Sequence, residues 1–212
     1  MDDAVAGTEV RERIVRDGAS SRRRFLVRAT WSAAAVGTAF AAVPFLESWL
    51  PSESARALGV PVALDPSKIE PGQMNIVTWR RKPIYIVHRT KSMLALLGNH
   101  DSDLKDPQSH DSDQPAYTDN ALRSRSAALF VTIGICTHLG CLPKARFQRG
   151  DPALGPRWPG GFYCPCHGSR FDLAGRVFKS SPASVNLVIP PYAFASERKL
   201  IIGTDTAPTS KT

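Results

Sequence analysis

Residues 136–141 read Cys-Thr-His-Leu-Gly-Cys, and residues 164–169 read Cys-Pro-Cys-His-Gly-Ser. We call these two stretches the first box and the second box. Each offers cysteine and histidine side chains at short spacing, and thiolate and imidazole are common metal ligands in proteins. Two such loops can direct their side chains at one centre, so the pattern predicts a shared metal site. The residues alone leave a structural zinc site open. A nucleophilic Cys/His pair is a weaker interpretation, because it would not explain why the pattern occurs twice.

Both boxes resemble the cluster-binding motifs of Rieske [2Fe-2S] proteins, in which two cysteines hold one iron and two histidines hold the other. The resemblance implies one [2Fe-2S] cluster as the cofactor. Cys136 and Cys164 would bind one iron, and His138 and His167 would bind the second.

The same resemblance implies a disulfide between the two remaining cysteines, Cys141 and Cys166. Such a bond suits a head that lies outside the reducing cytoplasm. The chain has 212 residues and 4 cysteines, which is too few for a fold that depends on disulfides throughout.

The two histidines are the candidate catalytic residues. Neutral imidazoles in place of two thiolates raise the reduction potential of a cluster. An imidazole that is exposed and coupled to iron can take up a proton together with the electron. In the family, the histidine of the second box, here His167, faces quinol, while His138 also lies near the exposed tip. The resemblance therefore implies quinol oxidation.

Four further residues are candidates, by the same resemblance, for tuning or covering the cluster: Ser169, Phe171, Leu139 and Pro182. Ser169 stands where the family uses a hydroxyl to hydrogen-bond a cluster sulfur. Phe171 stands where many mitochondrial relatives carry tyrosine, so one donor is missing. Leu139 is expected to make apolar contact at the docking tip, with packing inside the head as the alternative. Pro182 belongs to residues 180–183, which resemble the proline loop that covers the cluster, with serine before the proline in place of the usual glycine.

The remainder of the head carries strand patterns. Residues 73–90 hold two β-rich runs separated by residues 80–83, which is typical of a hairpin. A short helix is predicted over 92–97, and further strands are predicted over 127–135, 170–178, 185–190 and 199–202. The resemblance implies a mainly β fold: a Rieske-type antiparallel β head with an inserted rubredoxin-like cluster-binding subdomain, about 131–180, plus one N-terminal transmembrane helix.

The chain is long enough for one head and an appendage. We predict five parts: a cytoplasmic N-terminal segment (1–20), a twin-arginine signal-anchor and transmembrane helix (21–50), a flexible hinge (51–66), the Rieske head (67–204) and a C-terminal tail (205–212). The hinge is predicted from small, polar, Pro- and Gly-containing sequence with no long apolar face.

A serine and paired arginines at residues 21–24 precede an apolar stretch and resemble a twin-arginine export signal. Residues 29–46 carry no charge and could cross about 27 Å of hydrocarbon. Arginines cluster before this span, whereas only Arg56 and Lys68 follow it closely, which predicts a cytoplasmic N-terminus and a periplasmic head at the bacterial inner membrane. The preceding arginines are Arg11, Arg13, Arg16, Arg22, Arg23, Arg24 and Arg28. A cleaved signal peptide is the alternative.

The charge of the chain does not indicate nucleic-acid binding. Seven arginines precede the apolar span, where membrane topology explains them, and the head has no evident aromatic and basic groove. Residues 99–120 are rich in aspartate but lack the glycine and glutamate of an EF-hand loop. We therefore expect a solvated excursion there, with no metal role for His100 or His110.

Over nearly the whole chain, the order of these features is similar to that of the iron-sulfur subunits of proteobacterial ubiquinol-cytochrome c reductases, the cytochrome bc complexes. The resemblance implies a respiratory, proton-translocating oxidoreductase in which a tethered head carries one electron from ubiquinol to a c-type cytochrome. The implied partners are cytochrome b and c-type cytochrome subunits, ubiquinol and the lipid membrane, within a dimeric complex. The alternatives are the Rieske subunit of a periplasmic arsenite oxidase and, from another class, a structural zinc-binding module.

Overall fold

The computed structural model describes residues 2–50, 52 and 59–206. Its helices are α1 (Asp2–Ser48) and α2 (Lys91–Leu96). Its strands are β1 (Val62–Leu64), β2 (Met74–Trp79), β3 (Lys82–His88), β4 (Leu129–Ile133), β5 (Lys144–Arg146), β6 (Gly161–Tyr163), β7 (Arg170–Phe171), β8 (Tyr192–Ser196) and β9 (Lys199–Ile202). Single 3-10 turns lie at Pro66–Lys68, Leu97–Asn99, Asp101–Asp103 and Ala116–Thr118. The chain divides into two units, residues 1–54 and residues 55–212.

Helix α1 makes up most of the N-terminal unit. Its portion Ser21–Ser48 is long and apolar enough to span a membrane, with a mean hydropathy of 1.4. Large apolar side chains are exposed along it, among them Trp31, Phe40 and Phe45. Because exposed apolar surface is unfavourable in water and favourable in lipid, this portion fits the transmembrane helix predicted within residues 21–50.

The larger unit, which we call the head, contains two antiparallel sheets of three strands, ordered β1-β9-β8 and β2-β3-β4. The predicted hairpin is confirmed: β2 pairs with β3 from Met74 opposite Val87 to Trp79 opposite Lys82. Only two residues separate these strands, and both are left-handed, with φ of 49° and 60°. Two left-handed residues in succession match the tight turn whose twist suits a two-residue hairpin.

A third antiparallel sheet, ordered β5-β6-β7, lies in the subdomain predicted at about 131–180. The first box directly precedes β5, and the second box connects β6 to β7. One hydrophobic cluster runs from residues of the first two sheets, such as Leu200 and Ile84, to Cys136 and Cys164. The first cysteine of each box is therefore part of the buried core. The mainly antiparallel β fold matches the predicted fold class.

The strand predicted over residues 185–190 is wrong. The backbone NH of Leu187 donates to the carbonyl of Gly175 at 2.8 Å, whereas that of Ile189 donates to the carbonyl of Asp113 at 3.1 Å. Because neighbouring residues bond to different segments, no ladder forms. The strand predicted over residues 199–202 is confirmed as β9.

Of the strand predicted over residues 170–178, only Arg170–Phe171 belongs to a sheet. The chain turns back directly afterwards, with the NH of Gly175 donating to the carbonyl of Asp172 at 3.0 Å and Gly175 in the left-handed region at φ 70°. A turn with this geometry favours glycine, and it ends the strand early.

Strand β1 lies inside the stretch predicted as the hinge, residues 51–66. It pairs with β9 from Val62 opposite Ile202 to Leu64 opposite Leu200. A mobile connection must therefore end before Val62. Of the residues that precede this strand in the predicted hinge, 51 and 53–58 lie outside the described part of the chain.

The expectation that residues 99–120 form a solvated excursion is wrong for several of its polar side chains. His100, Asp106 and Ser109 are buried. The side-chain amide of Asn186 donates to the carbonyl of Asp106 and to the hydroxyl of Ser109, both at 3.0 Å. These polar groups can be buried because the segment lies against the end of the cluster-binding region, which supplies their hydrogen-bond partners.

Candidate functional site

The two boxes fold into matching turns. In the first box the NH of Cys136 donates to the carbonyl of Cys141 at 2.7 Å, and the NH of Gly140 donates to the carbonyl of Cys136 at 3.0 Å. In the second box the NH of Cys164 donates to the carbonyl of Ser169 at 2.8 Å, and the NH of Gly168 donates to the carbonyl of Cys164 at 3.0 Å. The first cysteine of each box thus lies at the start of a tight loop, and the two loops are closed by equivalent backbone bonds.

Both loops depend on a glycine. Gly140 and Gly168 have φ values of 82° and 79°, in the left-handed region that side chains rarely adopt. Space is open where a side chain would project from either glycine, so the requirement is conformational.

The first cysteines of the two boxes form a pair of buried thiols. Cys136 and Cys164 are each 2% exposed, and neither is in a disulfide. Their side chains are within hydrogen-bonding reach of each other. Burial raises the pKa of the Cys136 thiol, while hydrogen bonds from the backbone NH of His138 and the Ser169 hydroxyl oppose that rise. Two adjacent buried thiols with donors aimed at the sulfur suit a metal centre, which binds them as thiolates.

The two histidines lie side by side. The ring centroids of His138 and His167 are 4.9 Å apart, and the ring planes are almost perpendicular. His167 is exposed, and His138 is partly buried. The fold therefore brings together two thiols and two imidazoles, the donor set that the boxes predict for a [2Fe-2S] cluster.

A disulfide joins Cys141 to Cys166, as predicted, and so ties the first box to the second. The sulfur atoms of these two residues and of Cys164 lie within 4.8 Å of one another. Because two of these three sulfurs are bonded to each other, they cannot also act as thiolate ligands. The ligand candidates in the boxes are thereby reduced to the two buried cysteines and the two histidines.

Ser169 and Phe171, both fully buried, lie just beyond the second-box ligands. The contact of the Ser169 hydroxyl with a cluster sulfur stays a prediction. Phe171 is in β7 and carries no hydroxyl, so it cannot add a donor.

Residues 180–183, which we call the proline loop, are attached to both boxes. The Ser169 hydroxyl accepts a hydrogen bond from the NH of Ala183 at 3.1 Å. The Thr137 hydroxyl donates to the carbonyl of Val185, just after the loop, at 2.6 Å. Pro182 itself is exposed. These bonds attach the loop to both boxes, and its role as a cover for the cluster stays a prediction.

Ser181 stands where the family usually has glycine, and its side chain hydrogen-bonds to the backbone of Arg170. Its hydroxyl accepts from the NH of Arg170 at 2.9 Å and donates to the carbonyl of Arg170 at 3.1 Å. Sequence reasoning treated Ser181 only as a departure from the family pattern and missed Thr137 as an anchor. The hydroxyl side chains were the available signal, but their partners are distant in sequence.

Leu139 is 69% exposed, and Leu142 is 56% exposed. Packing of Leu139 inside the head is therefore excluded, and its side chain is available for an apolar contact at the same loop as His138. Its role in docking stays a prediction.

A buried ion network holds the chain just after the second box. The Asp172 carboxylate accepts from Arg176 at 2.8 Å and lies 3.2 Å from His100 Nε2. Arg176 also pairs with Asp101 at 2.8 Å. Burial opposes ionisation of Asp172, but the hydrogen bond with His100 and the charge of Arg176 outweigh it, so the pKa of that carboxyl lies below its ordinary value. The network ties the chain after the second box to residues 99–120, which we call the acidic segment.

Comparisons with known proteins place both boxes within a Rieske domain. The model of the Rieske [2Fe-2S] domain matches residues 100–192, and the model of the ubiquinol-cytochrome c reductase Fe-S subunit twin-arginine signal matches residues 15–52. The second match spans the predicted export signal and the apolar part of α1.

Similar proteins of known name are iron-sulfur subunits of ubiquinol-cytochrome c reductase. That of Allochromatium vinosum is 52% identical over 184 residues, covering 87% of this chain and 89% of the relative. That of Bradyrhizobium diazoefficiens is 43% identical over 184 residues, covering 86% and 94%. A solved chain described as part of a hyperthermophilic respiratory complex III is 25% identical, covers 80% of this chain and 94% of its own, and gives a TM-score of 0.46. The names of the two sequence relatives favour neither the arsenite oxidase nor the zinc alternative.

Proposed function

The chain belongs to the family of Rieske iron-sulfur subunits of ubiquinol-cytochrome c reductase, and from this membership we propose which of its residues hold the cluster and how they act. Cys136 and Cys164 would bind one iron of a [2Fe-2S] cluster, and His138 and His167 would bind the other. The observation that supports this ligand set is the convergence of two buried thiols and two adjacent imidazoles on matching loops. When bound, the cluster supplies a one-electron acceptor of raised potential.

His167 is the residue that meets ubiquinol in this proposal. Its imidazole is exposed at the loop tip, where a quinol hydroxyl can reach a ring nitrogen, donate a hydrogen bond and pass its proton. His138 packs edge-on against it and limits the directions in which its ring can turn. The exposed Leu139 offers apolar surface beside these rings for a docking partner.

We propose cytochrome b and a c-type cytochrome as the protein partners, in a dimeric complex of the bacterial inner membrane. The apolar part of α1 would remain as a single-pass anchor, with the N-terminus in the cytoplasm and the head in the periplasm. The charge-free stretch and the arginines ahead of it support this orientation. Ubiquinol would give one electron at a site shared with cytochrome b, and the c-type cytochrome would receive it.

Purification of the membrane complex through a tag on this chain tests the proposal. We expect the spectra of b- and c-type haems to accompany the chain and the preparation to reduce a c-type cytochrome with ubiquinol. Isolation of the cluster-bearing chain without haem proteins, and without quinol oxidation, would contradict the proposed partners and reaction.

A stiff connection between anchor and head is expected to stop turnover without changing the cluster. Consecutive prolines in place of residues 53–58 form an extended spacer, whereas a Gly/Ser replacement of equal length stays flexible. We expect the proline variant to reduce quinol-dependent cytochrome c reduction by about tenfold or more, because a stiff tether limits the positions that the head can sample. The Gly/Ser variant should keep most activity. Wild-type turnover in the proline variant, with an unchanged cluster spectrum, would refute movement of a tethered head.

The substitution Phe171→Tyr is expected to raise the reduction potential. A new phenolic hydroxyl that hydrogen-bonds a ligand sulfur stabilises the more negative reduced state, and one such bond favours reduction by about tenfold, or about 59 mV. Redox titration followed by circular dichroism measures the change. Phe147→Tyr, on a half-buried ring that packs against Phe162 in the same sheet, is the matched control and should leave the potential near that of the wild type. A Phe171→Tyr cluster with an unchanged or lower potential would contradict the prediction.

A further inference from the structure

The acidic segment pairs with the residues that lead into the proline loop. Leu104 forms an antiparallel bridge with Phe178. On either side of it, the NH of Lys105 donates to the carbonyl of Val177 at 3.0 Å, and the NH of Lys179 donates to the carbonyl of Asp103 at 2.8 Å. The backbone of Lys105 is therefore fixed beside the proline loop.

The side chain of Lys105 also binds the proline loop. Its Nζ donates to the carbonyl of Ser181 at 2.8 Å and to the carbonyl of Ala183 at 2.7 Å. These carbonyls lie on either side of Pro182, so one ammonium holds both arms of the turn. Within residues 59–206, no carboxylate forms an ion pair with Lys105, and the two carbonyls are the partners of its charge. Hydrogen bonds from a charged donor are stronger than neutral ones.

The proline loop is hydrogen-bonded to Ser169. The NH of Ala183 donates to the Ser169 hydroxyl oxygen at 3.1 Å. An oxygen that accepts this bond keeps its own proton for another acceptor. Ser169 is fully buried and follows the proposed ligand His167 by two residues in the second box. The orientation of the Ser169 hydroxyl thus depends on the position of the Ala183 NH, and Lys105 binds the carbonyl of the same residue.

We propose that Lys105 is a positioning residue for the cluster: it fixes the proline loop and, through the NH of Ala183, directs the Ser169 hydroxyl at a cluster sulfur, and the acidic segment thereby tunes the reduction potential. The inference rests on the proposed function, since it requires that the two boxes hold the cluster. A donor at the sulfur stabilises the reduced cluster, which carries more negative charge. Lys105 acts through the loop, and it contacts neither quinol nor a ligand side chain in any bond described above.

The test is the cluster potential of Lys105→Met in the whole complex, with Lys179→Met as the matched control. Both variants remove one lysine charge from the same paired segments, but only Lys105 has its ammonium on the proline loop. We expect Lys105→Met to disfavour reduction by about tenfold, the effect of losing one hydrogen bond, and to do so at low and high salt. Lys179→Met should stay within about twofold of the wild type. Lys105→Gln, whose amide can still donate to one carbonyl, should have a reduction potential between those of Lys105→Met and Lys179→Met. If Lys105→Met loses its cluster, the potential of Lys105→Gln tests the inference.

A second set of potentials, measured in a Ser169→Ala background, separates positioning from general electrostatics. With the hydroxyl gone, Lys105→Met or Lys105→Gln is expected to change the reduction equilibrium by less than about twofold, because the two residues act on the same bond. Equal effects of the Lys105 and Lys179 variants, an undiminished effect in the Ser169→Ala background, or no effect of either Lys105 variant would overturn the inference. A wild-type chain without a [2Fe-2S] spectrum would instead refute the proposed function on which the inference rests.

Discussion

Single alanine substitutions at Cys136, Cys164, His138 or His167 are expected to abolish the visible and paramagnetic spectra of the cluster and, with them, quinol-dependent cytochrome c reduction. The two cysteines are buried and close together, and the two rings are in contact, so no neighbouring side chain of the boxes can replace a lost ligand. The disulfide occupies the other two cysteines. Loss of cluster-dependent activity should therefore be complete.

His110→Ala is the matched control for the histidine variants. His110 is exposed in the acidic segment, and among the residues that the structure describes its one hydrogen bond runs from its backbone NH to Asp106 at 2.9 Å. Its removal should leave iron content and spectra unchanged. A His138→Ala or His167→Ala chain that kept the wild-type spectrum would contradict the ligand assignment.

Removal of the disulfide is the second change with a large expected effect. The bond closes a loop with a sequence separation of 25, for which the chain-entropy estimate is about 3–4 kcal/mol of stability. The double variant Cys141→Ser/Cys166→Ser is preferred, because a single variant would leave a free thiol close to Cys164. We expect the double variant to lose its cluster at a lower temperature and to unfold at a lower denaturant concentration than the wild type.

Circular dichroism of the cluster during heating, together with denaturant unfolding of the head signal, measures both losses. Wild-type protein treated with a disulfide reductant should shift in the same direction, which separates the missing bond from any effect of the serines. A double variant with the thermal and denaturant stability of the wild type would show that the loops are held without the disulfide.

The donor set of the site could be predicted from sequence because each ligand lies in a short local motif. Within each box the turn is fixed by backbone bonds between residues at most five positions apart, with one glycine in each turn. The hairpin of β2 and β3 was predictable for the same reason, since its strands are joined by two residues.

The elements that could not be predicted depend on partners distant in sequence. Residues 185–190 have an apolar pattern like that of a strand, but their backbone bonds go to separate loops. The aspartates of residues 99–120 suggested a solvated surface, because the sequence does not show that Asn186 and Arg176 would pair with them. Lys105 carried no local signal, since its two carbonyl partners lie more than 70 positions away.

The central claim is that two iron atoms share sulfur and imidazole ligands at the tip of the head, and pulsed electron paramagnetic resonance of the reduced chain tests it most directly. With ¹⁵N-labelled histidine, the account predicts couplings from two imidazole nitrogens on a [2Fe-2S] signal, together with acid-labile sulfide in amounts equal to the iron. A centre with no sulfide and no paramagnetism, or a cluster signal without histidine nitrogen couplings, would contradict it.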